Sequence, residues 1–222
     1  DHGGELGRAG QRACRERGIR TVAVTAGYIS PGAREIFFGA MDAANIDLKA
    51  FSEDFYRRLC GVHLKPVLDT LVYLKHETDV WLELTTLIIP GENDSEEELD
   101  AMTRWVASEL GPDVPLHFSA FHPAGEMNRT APTPLDPLAR ARDIAANHGL
   151  RHVYLGNVST LEGGRTYCPG CGSLLIDRQG YRLRGWGLDP RGRCVSCGQT
   201  CPGVFESGPG QWGPRCMPVE VE

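Results

Sequence analysis

Between Thr21 and Leu155 the chain repeats one unit, an apolar β-branched run followed by a helix-patterned run, with none of the tight hairpin turns that antiparallel strands need. Thr21–Thr25 (TVAVT), Asn45–Phe51, Trp81–Ile89 (WLELTTLII), Leu116–Ala120 and Val153–Leu155 read as strands. Between them, Ser30-Pro31 supplies an N-cap and first-turn proline, and the helix that follows places Ile36, Phe37, Ala40 and Met41 on its buried side. Ser52 caps a short helix, Pro66 opens a helix carrying Val67, Leu68, Leu71 and Leu74, and Ser95 with Glu98 forms a capping box before Leu99, Met102, Val106 and Leu110. A last helix begins at Asp136-Pro137, and Glu5–Arg17 suits a helix ended by Gly18. Right-handed crossovers turn such a series into a parallel sheet, open or curled into a barrel. Trp81–Ile89 is apolar enough to be covered on both sides. Five strands do not close an eight-stranded barrel, and the series opens on a helix, so earlier strands are expected upstream.

The strand at Asn45 carries charges where apolar residues are expected. Alternation puts Asp47 and Lys49 on one face and Ile46, Leu48 and Ala50 on the other. An ion pair there stabilises a fold poorly, so either it is structural or it marks a ligand site at the carboxyl ends of the strands. Strand ends also bring Thr25 and Gly27, Thr85 and Thr86, and His117 and His122 toward one rim. Lys49 suits a carboxylate, Asp47 an amine or cation, a threonine a hydroxyl, and Gly27 lets backbone approach closely.

The tail carries a second pattern, Cys168-Pro-Gly-Cys171 and Cys194-Val-Ser-Cys197, each followed by glycine. Two such turns make a tetrahedral four-thiolate site, and zinc is expected ahead of iron. A hairpin around Asp177–Gly180 accommodates the distance between the pairs. Cys201 is a candidate substitute ligand, Cys216 has no evident partner, and Cys14 and Cys60 read as small buried residues. The expected division is residues 1–160 for the α/β part and 161–222 for the zinc-ribbon-like module. A net charge of −6 argues against general nucleic-acid binding, and no apolar run reaches membrane-spanning length. Without a secretory signal, paired cysteines point to metal ligation in a reducing, cytoplasmic setting. No nucleophile elbow, phosphate loop or HExxH occurs.

Four stretches together, Thr21–Pro31 (TVAVTAGYISP), Ile46–Phe51 (IDLKAF), Leu87–Asp94 (LIIPGEND) and His117–Pro123 (HFSAFHP), resemble the radical SAM enzymes of the AmmeMemoRadiSam system, which are similar to pyruvate formate-lyase activating enzymes. The cysteine-rich tail resembles the carboxyl end of the same system's radical protein. The resemblance implies a partial (β/α)6 barrel binding S-adenosylmethionine on its upper rim beside a [4Fe-4S] cluster. It implies Lys49 near the methionine carboxylate, Asp47 near a cation, Thr25 as the threonine of a TNG-like strand end, with Ala26 departing from the asparagine, and His122 near the adenosyl group with His117 as its rival. The implied reaction is one-electron cleavage of the sulfonium to a 5′-deoxyadenosyl radical that abstracts hydrogen from a substrate, with AmmeMemo-type proteins as partners. The family's cluster loop, CxxxCxxC, is absent from the sequence given. On that ground the chain is expected to be a fragment that alone neither assembles the catalytic cluster nor turns over. A competing reading is a non-catalytic ribbon that docks protein or nucleic acid from a degenerate α/β scaffold.

Overall fold

The computed structural model describes residues 13–210. A helical turn at 13–16 ends with Gly18 in the left-handed region at φ +69°, the expected cap; the earlier part of the expected Glu5–Arg17 helix, and Cys216, lie outside the described residues. Five parallel strands follow, β1 (Val22–Thr25), β2 (Ala43–Asp47), β3 (Trp81–Ile88), β4 (Leu116–Ala120) and β5 (Val153–Gly156). They lie side by side in sequence order. The connections are α1 (Pro31–Phe38), α2 (Glu53–Phe55) with a π-helical turn over Tyr56–Cys60, α3 (Lys65–Glu77), α4 (Glu96–Trp105) with a π-helical turn over Val106–Leu110, and α5 (Leu135–Asn147).

Sequential order without a reversal means that every right-handed crossover carries its helix to the same side, as in a curled barrel sheet and unlike a doubly wound one. The core shows this directly. Ala44, Ile46, Leu82, Leu84, Ile88, Leu116 and Phe118 share one cluster with Val67, Leu71 and Leu74 of α3, Leu99 and Met102 of α4, and Leu138, Ala141 and Ala145 of α5. The opposite face takes the intervening residues, which are half-buried or exposed along all of β3. Trp81–Ile88 is therefore covered by helices on one face; among the described residues its other face is only half-buried, with Leu87 exposed, short of the cover on both sides expected from its composition.

Two local expectations also change. Phe37 and Met41 pack against the core as expected, but the fully buried residue of α1 is Phe38 and Ile36 is 53% exposed, because the inward stripe is rotated toward Phe38. Ser30 precedes Pro31 as expected, but its hydroxyl makes no cap bond. Ser95 does cap α4, accepting from the Glu98 N–H. The Glu98 carboxylate, instead of closing the capping box, accepts from the Phe51 N–H at 2.7 Å and so ties the chain after β2 to α4.

The tail forms a separate three-stranded antiparallel sheet, β6 (Thr166–Tyr167), β7 (Leu174–Gln179) and β8 (Arg182–Trp186), with its own small core of Cys168, Leu175, Ile176, Leu188, Cys194 and Cys201. The β7–β8 turn falls at Gly180, whose φ of +56° a glycine adopts without a side-chain penalty. Within the described residues no helix is long and apolar enough to cross a membrane.

Candidate active-site rim and metal centre

Alternation continues past the end of β2. Ile46, Leu48 and Ala50 are fully buried on the helix side, and Asp47 and Lys49 point to the other. Their Nζ to Oδ2 distance is 2.9 Å, with side chains 40% (lysine) and 35% (aspartate) exposed. At that exposure the pair is worth only about 0–1 kcal/mol to the fold. The backbone beneath it is held much more firmly. The Lys49 N–H donates to the Tyr56 hydroxyl at 3.1 Å, and the Lys49 carbonyl accepts from Asn93 Nδ2 at 2.7 Å. Asn93 is itself buried, donates to the Leu87 carbonyl and accepts from the Ile89 N–H. Burial pushes the Tyr56 phenol up to about 12, so it stays neutral beside Asp47. Tyr56 and Asn93 are positioning residues that sequence reasoning missed, since nothing in a helix tyrosine or a turn asparagine announces a contact with a strand elsewhere in the chain.

The other rim candidates distribute unevenly. Thr25 closes β1, and its hydroxyl accepts from the Gly27 N–H at 3.3 Å. Gly27 has φ +68°, and a Cβ there would stand 2.7 Å from Ile46 Cγ2, so glycine is required by packing into the helix-side core. Thr85 lies within β3 and not at its end, paired in register with Asp47, and donates to Asn45 Oδ1 at 2.8 Å. Thr86 faces the helices, buried, and donates to the Leu48 carbonyl. The two rival histidines separate cleanly. His122 stands beyond β4, exposed, with Nε2 3.3 Å from the Asn157 carbonyl. His117 sits inside β4, paired in register with Thr85 and Tyr154, its Nε2 2.8 Å from Glu83 and its ring stacked on Tyr154 at 5.0 Å. Burial raises the Glu83 carboxyl, but hydrogen bonds from His117 and Trp81 prevail and hold it below its ordinary value.

This donor set fits S-adenosylmethionine in kind: an ammonium, a carboxylate and a hydroxyl on neighbouring strands. It does not fit an iron–sulfur cluster. Clusters are held by several thiolates, and outside the tail the described cysteines, Cys14 and Cys60, are single residues on separate elements.

In the tail, by contrast, four thiols converge. The sulfurs of Cys168, Cys171, Cys194 and Cys197 all lie within 4.8 Å of one another, with Cys168–Cys197 at 3.6 Å and Cys171–Cys194 at 3.7 Å. Four ligands at the usual Zn–S distance on tetrahedral corners stand about 3.8 Å apart, which matches one central ion. The two turns repeat one geometry: the Gly172 N–H donates to the Cys168 carbonyl at 2.9 Å and the Gly198 N–H to the Cys194 carbonyl at 2.8 Å, both glycines with positive φ. Hydrogen bonding to Ser173 draws the Cys171 thiol down to about 6, while, against a backbone hydrogen bond from Gln199, the neighbouring thiols push Cys197 up to about 12. Cys201 is buried outside this group and is not its fifth member.

Comparison with solved structures places the parallel sheet. A domain of a pyruvate-formate lyase-activating enzyme from Bacteroides vulgatus superposes with a TM-score of 0.58 at 17% identity, over 66% of this chain and 87% of that one. A radical SAM methyltransferase from Sphaerobacter thermophilus gives a TM-score of 0.51 at 15% identity, over 63% of this chain and 41% of that one. The fold is of the radical SAM type. In sequence, an uncharacterized protein of Methanocaldococcus jannaschii, MJ0808, is 41% identical over 186 residues, 83% of this chain and 55% of that one. The chain thus spans about half the length of that relative. No protein-family model matches it. The parallel sheet here presents a polar open face, and the tail carries a four-cysteine group able to hold a metal.

Proposed function

We propose that this chain is the S-adenosylmethionine-binding part of a radical SAM enzyme of the AmmeMemoRadiSam type, residues 1–160, joined to a structural zinc ribbon, residues 161–222. The observation that carries the reading is the Asp47–Lys49 pair. It adds little to stability, yet its backbone is fixed by Tyr56 and Asn93 at the carboxyl end of β2, where parallel strands present ligands. Lys49 binds the methionine carboxylate, and Asp47 accepts from the ammonium. Thr25 and Thr85 offer hydroxyls to the same ligand, Gly27 sets the strand-end turn, and His122 lies where the adenosyl group passes. When bound in the complete enzyme, S-adenosylmethionine would take one electron from a [4Fe-4S] cluster, release methionine and supply a 5′-deoxyadenosyl radical for hydrogen abstraction. The residues present here bind and orient the nucleoside. AmmeMemo-type proteins are the proposed partners, and four thiolates in the ribbon favour zinc over iron.

Calorimetry with S-adenosylmethionine tests the reading. Lys49→Ala and Asp47→Ala should each weaken binding roughly 10- to 100-fold, the worth of a hydrogen bond to a charged group. Equal affinity in wild type and both variants would remove the pair from the site.

A further inference from the structure

Below the rim, the open face of the sheet and the ribbon line a cleft-like cavity of about 1240 Å³ that opens to solvent. Trp81, Glu83, His117 and Tyr154 line it from the strands, and Arg178, Val204 and Phe205 from the tail. Its polar groups are not equally satisfied. Glu83 accepts from Trp81 Nε1 at 2.9 Å and bonds His117. The Tyr154 hydroxyl bonds Thr166 at 2.8 Å, joining the sheet to the first ribbon strand.

Arg178 is the exception. The half-buried guanidinium donates to Thr166 Oγ1 at 3.1 Å and lies 5.9 Å from the Tyr154 ring centroid. Glu83, the carboxylate within its electrostatic reach, is held by His117 and Trp81, and Asp177, its neighbour in the chain, pairs with Arg165. Among the described residues none pairs with Arg178. A second wall residue is also left over. His152 is buried, and its Nε2 has no hydrogen-bond partner; the nearest carboxylate, Asp113, stands 3.9 Å away and already accepts from Arg151. The cavity also carries two acids, but both are engaged, Asp42 by Thr21 and Arg15 and Glu83 by Trp81 and His117. A half-buried cation in no direct ion pair and an unsatisfied imidazole nitrogen, beside the apolar surfaces of Trp81, Leu155, Ile176 and Phe205, suit an anion with an apolar body.

We propose that this cavity binds a small amphipathic carboxylate, its anionic group on Arg178 and its apolar part against Trp81, Leu155, Ile176 and Phe205. His117 is paired in register with Thr85, and Thr85 with Asp47, so the cavity and the rim share one face two strands apart. That the carboxylate is the hydrogen donor of the reaction rests on the function proposed above; that it binds does not.

Phenylacetate, titrated into the full chain and followed by saturation-transfer NMR, is the probe, with 2-phenylethanol as its uncharged counterpart. Phenylacetate should bind saturably and 2-phenylethanol at least roughly tenfold more weakly. Arg178→Gln should weaken phenylacetate by a similar factor while leaving S-adenosylmethionine calorimetry unchanged. Val204→Trp, which adds volume from a position 60% exposed, should abolish phenylacetate binding with the denaturant midpoint unchanged. No binding by wild type, equal binding of acid and alcohol, or undiminished binding by either variant would overturn the proposal. If S-adenosylmethionine fails to bind wild type while phenylacetate behaves as described, the cofactor reading falls and the carboxylate site stands.

Discussion

The parallel sheet and the ribbon are held together by different means. On the sheet's helix side, Ile46, Leu48, Leu71, Leu74, Leu84, Leu99, Leu116 and Phe118 are fully buried in one apolar cluster, and dispersion and burial suffice. Among its described residues the ribbon buries six in its core, three of them cysteines, two of which are in the four-sulfur group. A core of that size folds a module poorly by burial alone, and ligation at the four cysteines would supply the difference. The contrast also explains where function can sit. The helix side admits only polar groups satisfied by backbone, such as Thr86, whereas the open face of the same strands is free to carry Asp47, Glu83, Thr85 and His117.

Chelation breaks this comparison most severely. Binding of a structural zinc contributes on the order of 10 kcal/mol to folding of its module. Metal removal should therefore expose the ribbon arginines Arg178, Arg182, Arg184, Arg191 and Arg193 to trypsin while the parallel sheet stays resistant. A digest unchanged by chelator would mean that the ribbon stands on its own core. The two faces of β3 separate next. Leu84→Ala, from the fully buried side, should cost about 2–5 kcal/mol in denaturant unfolding. The adjacent Thr85→Val, which loses only the bond to Asn45 on the half-buried side, should cost about 1 kcal/mol. Equal losses would erase the distinction between a face that folds and a face that binds.

Much of this division was legible in the sequence, because it rests on periodicity and spacing. The alternation around Asp47 and Lys49 and the two CxxC turns state their geometry locally. The strand–helix repeat states the parallel sheet, and sequential strand order then puts all the helices on one side. Phase was less legible: the stripe through Ile36 and the one through Phe38 look equally apolar on a helix as short as α1. Least legible were contacts between segments far apart in sequence. Glu83 with His117, Tyr154 with Thr166, and Asn93 with Lys49 each join separate elements, and no residue in these pairs signals its partner. The cavity at Arg178 depends on how the ribbon lies against the sheet, which no local pattern encodes.

The central claim is that the carboxyl end of β2 grips S-adenosylmethionine, and hydrogen exchange resolved along the chain locates that grip directly. Saturating ligand should slow exchange at residues 25–27 and 47–51 and leave 166–201 as it was. Slowing confined to the ribbon, or none at a concentration where calorimetry shows binding, would contradict it.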